Sequence, residues 1–262
     1  MAEQRDRFFS APGMADIFSP EAQIQAMLAF EVALARAEAR AGVIPQAAAE
    51  AIAAQSHIEL FDVATLYREA AVAGTLAIPL ARQLTALVTG DPQRFVHWGA
   101  TSQDVMDTAC MLQMRAGLGL LEEGLLGVCA ACAALVEAHR HTLMAGRTLL
   151  QQALPITFGL KAARWLDLTT RQVTALREDR QRLLVVQLGG AAGTLAALGT
   201  SGPRVMALLA EDLGLGAPGL PWHTERDRVA RIAASLGVVA GAMAKIAGDV
   251  LLLAQTEVGE AS

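Results

Sequence analysis

No uncharged apolar run in this 262-residue sequence reaches the roughly eighteen residues needed to span a bilayer. That argues against a membrane span, although 53% of the residues are hydrophobic and the mean hydropathy is +0.38. No basic tract is present either. The 21 Lys and Arg are interspersed with 26 Asp and Glu for a net charge of −5, so the electrostatic footprint of a nucleic-acid binder is missing. Cysteine is scarce, at three residues. Cys129 and Cys132 form a C-x-x-C, but in an alanine-rich helical run with no second Cys or His pair at ligand spacing, which favours apolar packing over metal or redox use. Cys110 has no evident partner. The opening stretch MAEQRDRFFSAPGM lacks the apolar core of a signal peptide, so a cytoplasmic protein is expected. Nowhere do alternating β-branched residues mark a strand, although Leu183 to Leu188 imitates one.

What is present is helical periodicity. Ser19-Pro20-Glu21 combines an N-cap, a proline at the first helical position and an acid in the first turn, and the pattern runs to Arg40 before Gly42. Shorter apolar-periodic segments follow at Pro45 to Gln55, Asp62 to Val72 and Ala77 to Val88. No proline interrupts Asp104 to His139, about 36 residues, which makes a helix of roughly 54 Å. A second long helix is expected from near Pro155 to about Gln187, and a third from Thr224, whose T-x-x-D spacing with Asp227 fits a capping box, to the C-terminus. The expected fold is all-α, with a small helical N-terminal domain over residues 1–95 followed by a bundle of very long helices over 96–262. The longest uncharged runs, Gly124 to Val136 and Ile232 to Ala244, lie in helices apolar nearly all round. Such helices predict burial on every side and an oligomer that shares them.

Polar residues concentrate in the connections. HWGATSQDVMDT, residues 97–108, places Thr101 and Ser102 at a helix start with Asp104 at capping-box distance, which suits either an ordinary cap or the cradle of a carboxylate. Arg147, Thr148 and Gln151 precede Pro155 in a second arrangement able to hold an oxyanion. GGAAGT, ending in Thr194, and PWHTERD, with His223 and Arg226, fill the next connection. Its glycines permit close backbone approach, but without a preceding strand they form no dinucleotide fingerprint, which excludes NAD and ATP. His97 and His223 are the histidines inside these motifs, whereas His57, His139 and His141 fall in ordinary helical or linker sequence.

HWGATSQDVMDT, GRTLLQQALPITFG, GGAAGTLAALG and PWHTERDR occur in the order and spacing of the fumarase/aspartase superfamily. In wording they most resemble its carboxymuconate cycloisomerase branch, over essentially the whole chain. The resemblance implies a homotetramer on a central helical bundle, active sites shared between subunits, a small polycarboxylate substrate, and no metal or cofactor. It implies intramolecular lyase chemistry in which a substrate carboxylate adds to a double bond and closes a lactone. Carried over, His97, Ser102, Arg147 and His223 are the candidate catalytic residues, with Thr101, Gln103, Thr148, Gln151, Thr194 and Arg226 as candidate binding residues. Two departures matter. Most fumarate-releasing members read Thr-His in the second motif, and here that position is Leu149, which separates the chain from lyases such as adenylosuccinate lyase. The third family motif, a glycine-serine loop with the serine proposed as base, lies beyond Ser262, so the chain is expected to be a fragment. A fumarate-releasing lyase and a catalytically inert helical oligomerisation module are the alternatives.

Overall fold

A computed structural model describes residues 11–261; most of the charged opening stretch, on which the signal-peptide reading rests, lies outside the described residues. The fold is mostly helical, in two compact units. The first comprises residues 1–117 and 181–226, the second 118–180 and 227–262.

In the first unit, α1 (Pro12–Ile17) precedes α2 (Pro20–Arg40), where the Ser19 hydroxyl accepts from the Ala22 N–H at 3.2 Å. Ile24, Met27, Leu28, Phe30 and Leu34 form the buried stripe of α2, at the three- and four-residue spacings of one helical face. Two acids, Glu31 and Glu38, interrupt it and are also buried. Helices α3 (Gln46–Gln55), α4 (Val63–Ala73) and α5 (Ala77–Leu87) follow as the periodicity predicts. The long helix α6 (Ser102–Ala138) then starts within two residues of its expected position.

Beyond residue 180 the chain returns to this unit. The segment Leu184 to Leu188 is buried and extended, making one parallel bridge between Val185 and Gly216. A further helix, α8 (Gly202–Leu213), forms within the connection between the second and third long helices. Pro203 sits in its first turn, Gly214 closes it in a left-handed conformation, and Val205, Met206, Leu209 and Leu213 supply the apolar stripe packed into the same core as α2.

The second unit contains the later part of α6, helix α7 (Phe158–Leu183) up to residue 180, and α9 (Asp227–Leu253). Cys132, Ala162, Trp165 and Leu253 form its buried cluster, and the Trp165 indole donates to Asp249 at 2.7 Å. Cys132 packs as a small apolar residue, as expected for the C-x-x-C.

Several expectations are corrected. The helix expected near Pro155 begins at Phe158, where the Thr157 hydroxyl accepts from the Leu160 N–H at 3.1 Å. Pro155 belongs to an antiparallel ribbon of β1 (Leu143–Thr148) and β2 (Gln151–Thr157), paired with Ala145 and irregular around Gly146. The ribbon was illegible because both its faces are largely exposed, so no apolar alternation is required; proline is tolerated because a two-stranded ribbon is all edge. α9 ends at Leu253 rather than running to the C-terminus. Finally, α6 and α9 are each long and apolar enough by composition to cross a membrane. Counting only uncharged runs missed this, because Glu122, Glu123, Glu137, Arg231 and Lys245 interrupt them. Nor are the apolar stretches of these helices buried within the chain, where most of their residues stay uncovered.

Candidate active site

The first turn of α6 carries the best-connected polar group among the described residues. Asp104, fully buried, receives five donors. Its Oδ2 accepts from the Thr101 N–H at 2.9 Å and the Gly190 N–H at 2.9 Å. Its Oδ1 accepts from the Gly189 N–H at 3.0 Å, the Gln187 amide at 3.1 Å and His223 Nε2 at 2.7 Å. The capping-box spacing is therefore real, but the carboxylate does much more than cap. Because a carboxylate oxygen accepts, Nε2 of His223 is the nitrogen that donates to Asp104, and Nδ1 is turned away from it.

The glycines serve this arrangement. A Cβ on Gly189 would lie 2.4 Å from Cε1 of His223, and one on Gly190, whose φ is +68°, would lie 2.8 Å from the Gly99 carbonyl. Their close approach is to the protein's own carboxylate and imidazole. Gln187, also fully buried, completes the frame: its Oε1 accepts from the Trp222 N–H at 2.7 Å, and its backbone exchanges hydrogen bonds with the Thr108 hydroxyl at 2.9 and 3.0 Å.

His97 is anchored in the opposite sense. Its backbone is left-handed, with φ +56°, and its Nδ1 lies 2.6 Å from Oε1 of the buried Glu31. Burial opposes the charged ring, but the charge and hydrogen bond of Glu31, with the charge of Asp104, prevail and hold the imidazole above its ordinary range. Further along α2, burial first and then repulsion from Glu31 push the Glu38 carboxyl up to about 9.

The structure gathers most of the first-unit candidates at this helix start. Ser102 opens α6, and Gln103 donates to the His223 carbonyl at 2.7 Å. Arg226 is already committed: its guanidinium pairs with both oxygens of Asp107 at 2.6 and 3.0 Å and lies over the Trp222 ring. Thr194 is exposed in the glycine loop and makes no hydrogen bond among the described residues.

In the second unit, Arg147, Thr148 and Gln151 belong to the ribbon. Arg147 forks onto Glu260 at 2.6 and 3.0 Å, a pairing that sequence spacing did not suggest. Thr148 and Gln151 face one another across the two-residue tip, Leu149 and Leu150, both exposed and both at positive φ. Such tips usually hold Asn or Gly. A cavity of about 690 Å³ beside the ribbon is lined by Arg147, Lys161, Arg164, Lys245 and Asp249 among apolar residues. The residues that the sequence reading missed are Glu31, Asp107, Gln187 and Glu260, none of which has a local signal.

Two carboxylate-anchored imidazoles, one with Nε2 open and one with Nδ1, are suited to moving protons. The chain is similar to proteins of one family. A lyase family model matches residues 7–262. The 3-carboxy-cis,cis-muconate cycloisomerase of Pseudomonas aeruginosa is 49% identical over 97% of this chain and 56% of its own length, and that of Acinetobacter baylyi is 43% identical over 99% and 59%. The crystal structure of the 3-carboxy-cis,cis-muconate lactonizing enzyme from Pseudomonas putida superimposes with a TM-score of 0.93 at 47% identity, covering 97% of this chain and 58% of that one. The chain thus spans a little over half the length of the relatives it matches.

Proposed function

Because the chain belongs to the lyase family of fumarases and aspartases, we propose that it serves an intramolecular lyase reaction, the closure of 3-carboxy-cis,cis-muconate to 4-carboxymuconolactone. The observation that carries this reading is the 49% identity to a cycloisomerase of that substrate, joined to Leu149 at the ribbon tip. Leucine can neither donate nor accept a proton, which disfavours the fumarate-releasing branch. The reaction is a redox-neutral isomerisation. One carboxylate oxygen of the substrate bonds to an alkene carbon, and a proton is added at the neighbouring carbon beside another carboxylate. Charge builds on that second carboxylate, so donors aimed at it lower the barrier. In this reading the α6 start at Thr101 and Ser102, with Gln103, and the ribbon residues Arg147, Thr148 and Gln151 hold carboxylates, while His97 and His223 exchange protons.

A homotetramer sharing its sites between subunits, with no metal or cofactor and in the cytoplasm, belongs to the same proposal. The exposed apolar residues of α9, Val238 and Leu251 among them, support the assembly. Mixing the chain with carboxymuconate and following loss of the diene's ultraviolet absorbance tests the reading. Absorbance loss with lactone as product is expected; release of fumarate from a succinyl-bearing substrate instead would overturn it. Binding of carboxymuconate without any turnover would favour the inert module.

A further inference from the structure

Helix α2 buries hydrocarbon at every turn, yet it gives one of its most buried positions to a carboxylate. Glu31 is 2% exposed, and among the described residues its one hydrogen bond is to Nδ1 of His97, while its Oε2 has no partner. A buried carboxylate left half-satisfied is costly unless something else is gained. Across from it, His97 is held in a left-handed backbone conformation, and its Nε2 makes no hydrogen bond among the described residues. A carboxylate behind one ring nitrogen, with the other nitrogen open, fixes the tautomer and steadies the charged ring.

We propose that Glu31 is the positioning residue of His97, holding the hydrogen on Nδ1 so that Nε2 is the nitrogen that meets the substrate and exchanges its proton. This rests on the cycloisomerase reading for the substrate, but not for the pairing itself. The charged groups acting on His97 are Glu31 from α2 and Asp104 from α6, both of which favour the protonated ring. Glu38, the other buried acid of α2, is held neutral at ordinary pH.

The test is a nitrogen-15 NMR titration of the histidines in the full 262-residue chain, with His97→Gln to assign the signal. Neutral His97 is expected as the Nδ1–H tautomer, with a midpoint above that of an ordinary imidazole. Glu31→Gln keeps an acceptor but removes the charge, and should lower that midpoint by about one pH unit or more. It should also shift the acidic limb of any turnover profile by the same amount. An Nε2–H tautomer in the unmodified chain, a measurement that needs no variant to fold, would overturn the proposal, and so would an unchanged midpoint in Glu31→Gln. Calorimetry with carboxymuconate on the same samples separates the two readings. A shifted midpoint in a chain that binds no carboxymuconate supports the pairing and sinks the substrate, whereas tight binding with an unmoved midpoint does the reverse.

Discussion

The two units differ in how much polar structure they bury. In the first, polar side chains lie inside and are tied together: Asp104, Thr108 and Gln187 are fully buried and bond to one another or to the backbone around them. In the second, charges sit near the surface in pairs, such as Arg147 with Glu260 and Arg177 with Glu122, while Leu126, Val238 and Leu251 point outward. Buried polar networks fix geometry, because each member left unpaired carries its full desolvation cost. Exposed apolar helices do the reverse, leaving stability to whatever covers them. The first unit therefore carries a tied polar network, and the second exposes apolar faces that the proposed assembly would cover.

The largest break in this contrast should come from Asp104→Ala, which strands the His223 ring, the Gln187 amide and two glycine N–H groups at once. A loss of about 3 to 5 kcal/mol in denaturant unfolding is expected. A loss below about 1 kcal/mol would mean that water replaces the carboxylate and that the network does not fix His223.

Glu38 should act in the opposite direction. Its carboxyl is raised from 4.5 to about 9 in the folded chain, so folding favours the protonated form. That contribution is complete below the unfolded value and is lost as pH rises toward 9, at up to roughly 1.4 kcal/mol per pH unit. Glu38→Gln should remove the slope and stabilise the chain more at pH 8 than at pH 5. Parallel stability curves for the two proteins would contradict it.

In the second unit the effects on folding should be smaller. The Arg147–Glu260 pair is about a quarter exposed on each side, so Arg147→Ala should cost about 1 kcal/mol or less in unfolding. Its signature should be in binding: if Arg147 also takes a substrate carboxylate, Glu260→Gln frees it and tightens polycarboxylate binding several-fold in calorimetry. Unchanged binding in Glu260→Gln and Arg147→Ala alike would confine Arg147 to a structural pairing.

Smallest for the single chain, Leu251→Ser should change unfolding of the monomer by no more than about 0.5 kcal/mol, as surface substitutions usually do. It should nevertheless shift sedimentation toward smaller species. A chain that already sediments as a stable monomer at micromolar concentration would remove the assembly half of the comparison.

What the sequence determined by itself was whatever rests on neighbours along the chain. Ser19-Pro20-Glu21 starts α2 because cap, proline and acid act within one turn, and the run from Asp104 makes one long helix because nothing local stops it. Thr101 and Asp104 announced their own hydrogen bond by their spacing. Tertiary structure alone decided what joins residues far apart. The ribbon carries no alternating pattern because its residues are at most partly buried, and α8 was hidden because its stripe is meaningful only against α2. Glu31 looks like any helix acid until His97, sixty-six residues away, turns to meet it. Glycines 189 and 190 read as room for a ligand, and only the fold shows that Asp104 and His223 fill it. Capping and periodicity are short-range and leave their mark in the order of residues, whereas the partner of a buried charge is chosen by which surfaces the packed helices bring together.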